Sequence, residues 1–255
     1  MARLARIVAP GVAHHVTQRG NRRQEVFFCD DDYRYYLELL AFWSAKFRLS
    51  VLAYCLMPNH VHLIVVPYEA PSLSQAIREI HQRYTRSVNF RENWRGHLWQ
   101  GRFTSCPMSE PHLYQALHYV EMNPVRAGLV ETPDQWKWSS AANGENGEND
   151  FPNEIIDHEW LNRAGLAGRN PAMDIDVELF RRHGRTGRPL GDETFISKLG
   201  EMCGRDLTPK KPGPKPKPQG GNTPPQIRGG VNTTAGKELY SPLTASKTTA
   251  GPEIK

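Results

Sequence analysis

The stretch "LSVLAYCLMPNHVHLIVVP", residues 49–67, constrains this chain more than any other. Two apolar, partly β-branched runs flank a tight Met-Pro-Asn turn, and strands joined by so short a link pair antiparallel. The sequence on either side supplies the rest of the order. "GVAHHVTQR" alternates as a strand, and "DDDYRYYLELLAFWSAKF" opens with an Asp-rich helix start. After the hairpin, "SLSQAIREIHQRYTRSVNF" lays Leu73, Ile77, Ile80, Tyr84 and Val88 along one helical stripe. "GHLWQGRFTSCPM" reads as a fourth strand, and "EPHLYQALHYVEMNPVRAG" as a third helix ended by Pro124 and Gly128. Strand, helix, strand, strand, helix, strand, helix predicts an α+β domain, an antiparallel or mixed sheet with helices packed on one face.

Composition divides the remainder. A polar Gly/Asn run, "NGENGEND" at 143–150, separates the main domain, 1–142, from a helical annex, 151–207. The annex reads as two short helices, "IDHEWLNRAG" and "ETFISKLGEMCG", around a basic loop, "RRHGRTGRP". Residues 208–255 are rich in Pro, Gly, Lys, Ser and Thr, too poor in apolar surface to offset their ordering entropy. They are expected to form a disordered, basic, Pro-rich tail, with Lys210, Lys211, Lys215 and Lys217 on an extended cationic arm. The net charge of +5 favours polyanionic partners over membranes. Cys29, Cys55, Cys106 and Cys203 show no CxxC spacing, the N-terminus lacks a signal-peptide run, and no stretch approaches the ~20 apolar residues of a span. A cytoplasmic protein is the expectation.

Within the hairpin, His60 and His62 are two apart on a strand and project from one face, with Val61 on the other. Such a pair either holds a metal ion or is a satisfied pair of ordinary strand histidines. Tyr119 and Asn123, four apart, share one face of the third helix. A phenol there can serve as a nucleophile and an amide oxygen as a further metal ligand. The alternative is that Tyr119 packs in the core and Asn123 stops the helix before Pro124. Tyr84 competes as nucleophile, but its place on the apolar stripe assigns it to the core. His81 and His97 have no partner at ligand spacing.

Arg78, Arg83, Arg86, Arg91, Arg95 and Arg102 fall in one stretch with only Glu79 and Glu92 between them, and Trp94 and Trp99 interleave. Cations with aromatics suit a single strand whose phosphates are neutralised and bases stacked; a solvated helix face explains the arginines but not the tryptophans. Arg19, Arg22 and Arg23 form a second cluster. The candidate DNA contacts are Arg19, Arg22, Arg23, Arg83, Arg86, Trp99 and Arg102.

Taken in order, "MPNHVHLIV", "HLWQGRF" and "YVEMNPVRAGLV" resemble the HUH-type single-tyrosine transposases of the IS200-like superfamily, specifically the REP-associated tyrosine transposase group. "HHVTQRGNRRQEVF" and "RRHGRTGRPLGDETF" are also similar, so the resemblance spans roughly residues 3–215. It implies a ferredoxin-like sheet, the HUH endonuclease fold. His60, His62 and Asn123 become ligands of a divalent metal, Mg²⁺ or Mn²⁺, and Tyr119 the nucleophile. No nucleotide cofactor is implied, and no GxxxxGK[ST] loop is present. The implied activity is cleavage and rejoining of single-stranded DNA at hairpins of repeated extragenic palindromes through a 5′-phosphotyrosine, by a monomer or homodimer with the annex as a further DNA contact. Two alternatives stay open: a non-catalytic DNA hairpin-binding protein, or another HUH enzyme such as a replication initiator or relaxase. The latter usually carry further domains or paired tyrosines, and Tyr119 has no tyrosine at i+4. A barrel metallohydrolase also uses HxH, but eight βα units do not fit this strand order.

Overall fold

Pro58 and Asn59 are the whole turn between β2 (Leu49–Met57) and β3 (His60–Pro67), which pair from Met57↔His60 to Leu49↔Pro67. In this computed structural model, which describes residues 6–143, 155–166 and 175–208, β1 (Ala13–Arg19) pairs with β3 and β4 (Thr104–Met108) pairs with β1. The sheet is antiparallel, in the order β2-β3-β1-β4. With α1 (Asp30–Lys46) after β1 and α2 (Ser72–Arg91) after β3, this is the split βαβ, ferredoxin-like arrangement that was expected. The tail from 209 onward and the Gly/Asn run from 144 lie outside the described residues. Among those residues, no helix is long and apolar enough to cross a membrane, and all four cysteines are free.

β2 is buried at every position, and Val61, Leu63, Ile64 and Val65 of β3 are fully buried in succession, so both faces of the sheet are covered. The expectation of helices on one face therefore holds only for α1 and α2, which pack on each other and against β2 and β3. Their contact buries the whole predicted stripe, Leu73, Ile77, Ile80, Tyr84 and Val88, against Tyr36, Leu37 and Leu40 of α1. The helix α3 (Glu110–Glu121) and the short α4 (Asn123–Arg126) follow β4, and α3 lies over the face that carries His62. The near-continuous apolar run of "LSVLAYCLM" is the trace of that two-sided burial.

The fourth strand is shorter than expected. Residues 96–103 are not strand but an irregular segment tied to β1 by a Gly20↔Trp99 bridge, and only 104–108 join the ladder. Gly96 and Gly101, both at positive φ, turn the chain out of extended geometry there.

Among the described residues the annex holds three helices: α5 (His158–Arg163), α6 (Val177–Thr186) and α7 (Glu193–Cys203). The expected basic loop "RRHGRTGRP" is largely helix, the second half of α6. Asp176 caps its start by accepting from Leu179 N (2.9 Å), and Gly187 ends it at φ 68°, a conformation that glycine adopts without strain. Phe180, 2% exposed, is its anchor, and α6 packs on β4, β1 and α3.

Candidate active site

His60 and His62 do share a face of β3, with ring centroids 4.9 Å apart. Each is held through Nδ1. Asn59 donates its amide N–H to Arg23 O (3.2 Å), which turns its Oδ1 to His60 Nδ1 at 2.6 Å. His60 therefore carries its proton on Nδ1 and keeps the lone pair on Nε2. His62 Nδ1 lies 2.9 Å from His15 Nε2, which leaves Nε2 of His62 to the cavity. The loop that provides Arg23 O depends on Gly20: a Cβ there would come within 2.2 Å of Gln24 O.

Burial lowers the pKa of His60 to about 4, with Arg19 adding to the effect, and holds that of His62 well below 6.5, helped by the neighbouring His60, His15, Arg126 and Arg19. Both rings are neutral near pH 7, as a metal ligand must be.

Tyr119 and Asn123 face the same place from the helix. The Asn123 Nδ2 donates to Tyr119 O (3.1 Å) and Val120 O (3.2 Å), so its Oδ1 is the atom left to accept from or ligate other groups. Tyr119 is 5% exposed, with its ring edge to His62 and His15 and stacked on Phe180 at 5.0 Å. Arg181 lies close enough to act on its hydroxyl, and the Arg126 guanidinium sits 4.4 Å over its ring. Burial raises the Tyr119 pKa above 10, while Arg126 and Arg181 pull against that rise.

These groups line one cavity of about 850 Å³. Arg19, Arg23, Arg102, Arg126, Arg181 and Arg185 also line it, and among the described residues no Asp or Glu does. Of the candidate DNA contacts, Arg19, Arg23 and Arg102 are therefore brought to the site. Arg22 is exposed in the same turn as Arg23 but does not line the cavity. Arg83 and Arg86 are exposed on α2, where Arg83 pairs with Glu79 (3.3 Å) and lies over Trp43 of α1, away from the histidines. Trp99 does not offer a ring to a base: it is 6% exposed and stacks on His81 within the aromatic cluster of Tyr36 and Tyr84. Large apolar rings in a linking segment are drawn to the nearest core, which charge pattern alone does not reveal. Tyr84 is fully buried, and its hydroxyl donates to Val26 O at 2.5 Å.

His15, Asn59, Arg126, Phe180 and Arg181 were not singled out from sequence. Arg126 had a signal, since it lies three residues past Asn123 and seven past Tyr119, on the same helical face. The donor set fits a small divalent cation: two imidazole nitrogens and an amide oxygen, each oriented by a bond at its other polar atom. Among the described residues no three His, Cys, Asp or Glu side chains cluster as a metal site, so a cation here depends on the neutral amide.

Residues 9–123 match the family described as Transposase IS200 like, a stretch that includes His60, His62, Tyr119 and Asn123. A Haemophilus influenzae protein described as a candidate REP-associated tyrosine transposase is 26% identical over 144 residues, covering 52% of this chain and 74% of that protein. A solved REP-associated tyrosine transposase bound to a REP hairpin shares 21% identity at a TM-score of 0.49, covering 56% of this chain and 84% of the other. A Deinococcus radiodurans R1 candidate transposase shares 21% identity at a TM-score of 0.34, covering 47% and 96% respectively. Over residues 9–123, the chain is therefore similar to the IS200-like transposases.

Proposed function

We propose that this protein cleaves and rejoins single-stranded DNA at hairpin elements of the repeated extragenic palindrome kind, with Tyr119 as nucleophile. The observation that carries the reading is the convergence of the Tyr119 hydroxyl, two neutral imidazoles and an amide in one cavity lined by six arginines and, among the described residues, no carboxylate. Arginines there neutralise the phosphates of an entering strand.

In the first step the Tyr119 oxygen attacks phosphorus and loses its proton. The bond from phosphorus to the 3′ oxygen breaks, and that oxygen leaves as a 3′-hydroxyl after taking up a proton. The product is a 5′-phosphotyrosine, and attack by a 3′-hydroxyl reverses the step at the old or a new junction. Phosphodiester energy is conserved, so no nucleotide cofactor is needed. Arg126 and Arg181 favour the phenolate and the charge that grows on the phosphate. A divalent cation, Mg²⁺ or Mn²⁺, held by His60, His62 and Asn123 would polarise the non-bridging phosphate oxygens.

The second reading, hairpin binding without chemistry, is favoured by the burial of Tyr119 beneath Phe180. Incubation with Mn²⁺ and labelled single-stranded hairpins separates the two. The transposase reading expects an adduct that survives denaturation in wild type and is lost in Tyr119→Phe. Binding without an adduct on any hairpin supports the second reading, and an adduct that persists in Tyr119→Phe removes Tyr119 from the chemistry.

A further inference from the structure

His15 touches both halves of the site. In the β1–β3 register Thr17 faces His62 and His15 faces Ile64, so His15 is the diagonal neighbour of His62 on the same sheet face. Its ring lies nearly coplanar with that of His62, with centroids 5.2 Å apart and planes inclined by 14°, and meets Tyr119 edge-on at 5.7 Å. It is 3% exposed, and α6 closes over it at Gly184, where a Cβ would stand 4.0 Å from its Nδ1.

The 2.9 Å contact between His15 Nε2 and His62 Nδ1 admits two proton arrangements. If His15 donates, neutral His62 carries its proton on Nε2 and shows the cavity an N–H. If His62 donates, His62 shows the cavity a lone pair, and His15 keeps its own proton on Nδ1. Arg19 and Arg126 line that cavity, and their charge disfavours another N–H aimed at them and favours a lone pair. His60 next door is already locked in the lone-pair-outward tautomer by Asn59.

We propose that His15 is a positioning residue: its Nε2 accepts the hydrogen bond of His62 Nδ1–H and fixes His62 with Nε2 as the electron-pair donor of the site. This rests on the reading of His62 as a metal ligand, but the tautomer itself does not. His15 and Asn59 are then matched devices, one on each histidine, and neither is a carboxylate that would oppose an entering phosphate.

Nitrogen-15 NMR of the full chain near pH 7, without metal, reads the tautomer directly. Wild type is expected to show His62 with a protonated Nδ1 and an unprotonated Nε2. His15→Phe keeps an aromatic ring but removes the acceptor, and should shift His62 toward a mixture. Titration with Mn²⁺ alone, followed by electron paramagnetic resonance, should show binding weakened roughly 10–100-fold in His15→Phe and largely recovered in His15→Gln, whose amide oxygen can accept the same proton. If wild type takes up no Mn²⁺, the metal reading of the site fails while the His62 tautomer still judges His15. A proton on His62 Nε2 in wild type overturns the proposal, as does an unmoved tautomer in a folded His15→Phe. Should His15→Phe fail to fold, the wild-type tautomer decides.

Discussion

Pro124 withholds a backbone donor from the Val120 carbonyl, and Asn123 supplies one from its side chain at 3.2 Å. The same amide bonds Tyr119 O, and Arg126 reaches that carbonyl too, at 2.5 Å. The sequence posed a choice between Asn123 as helix stop and Asn123 as functional ligand; the geometry shows the first, and the second is the proposal that its remaining Oδ1 invites. By holding the helix together where proline interrupts it, Asn123 fixes which way its own oxygen points. Asn123→Ala should therefore cost only about 1 kcal/mol in stability, the worth of a partly exposed hydrogen bond. On the proposed ligand role, adduct yield should fall at least about tenfold, well beyond that loss of stability. Thermal melts beside the adduct assay measure both, and a large stability loss with proportionate loss of adduct would return Asn123 to a purely structural role.

Among the elements, α1 and α2 are clasped at one end by Asp32 and Arg91. Asp32 is 4% exposed, accepts from Phe28 N (2.8 Å) as well, and receives both terminal nitrogens of Arg91, one of them at 3.0 Å. Asp32→Ala removes the acceptor of the Phe28 N–H and the main partner of Arg91, which keeps only its 2.7 Å bond to Glu92, and should destabilise the fold by about 1 kcal/mol in denaturant titration, discounted for the exposure of Arg91. A change under a few tenths of a kcal/mol would mean the pair is screened out. The helices α1 and α2 were legible in sequence because each is long and its buried positions recur at helical spacing. The helix α6 was not, because Gly184 and four basic or imidazole side chains surround its single apolar anchor, Phe180. His60, His62, Tyr119 and Asn123 could be found by local spacing. His15 and Arg181 come to the site from strands and helices far along the chain, and only the packed sheet brings them there.

At the scale of the whole molecule, α1 and α2 cover one face of the ferredoxin-like sheet and α3 the other, and several histidines are buried neutral in it. His14 shows the consequence for stability. It is fully buried, donates from Nδ1 to Val12 O (2.7 Å) and accepts from Ala9 N at Nε2 (3.4 Å), so a charged ring would stand away from water. Burial lowers its pKa to about 4 against 6.5 in an unfolded chain. Between those values the unfolded state takes up a proton that the native state refuses, so stability is full above about pH 6.5 and declines as pH falls toward 4. The loss from this group is on the order of 3 kcal/mol by pH 4. The decline should be shallower in His14→Gln, and equal slopes would contradict the assignment. The central claim, that this fold exists to place Tyr119 against a DNA phosphate, is met most directly by tandem mass spectrometry of the denatured hairpin adduct. The account predicts a nucleotide on the tryptic peptide from Phe103 to Arg126, attached at Tyr119. Attachment at Tyr114, or at any residue outside that peptide, would contradict it.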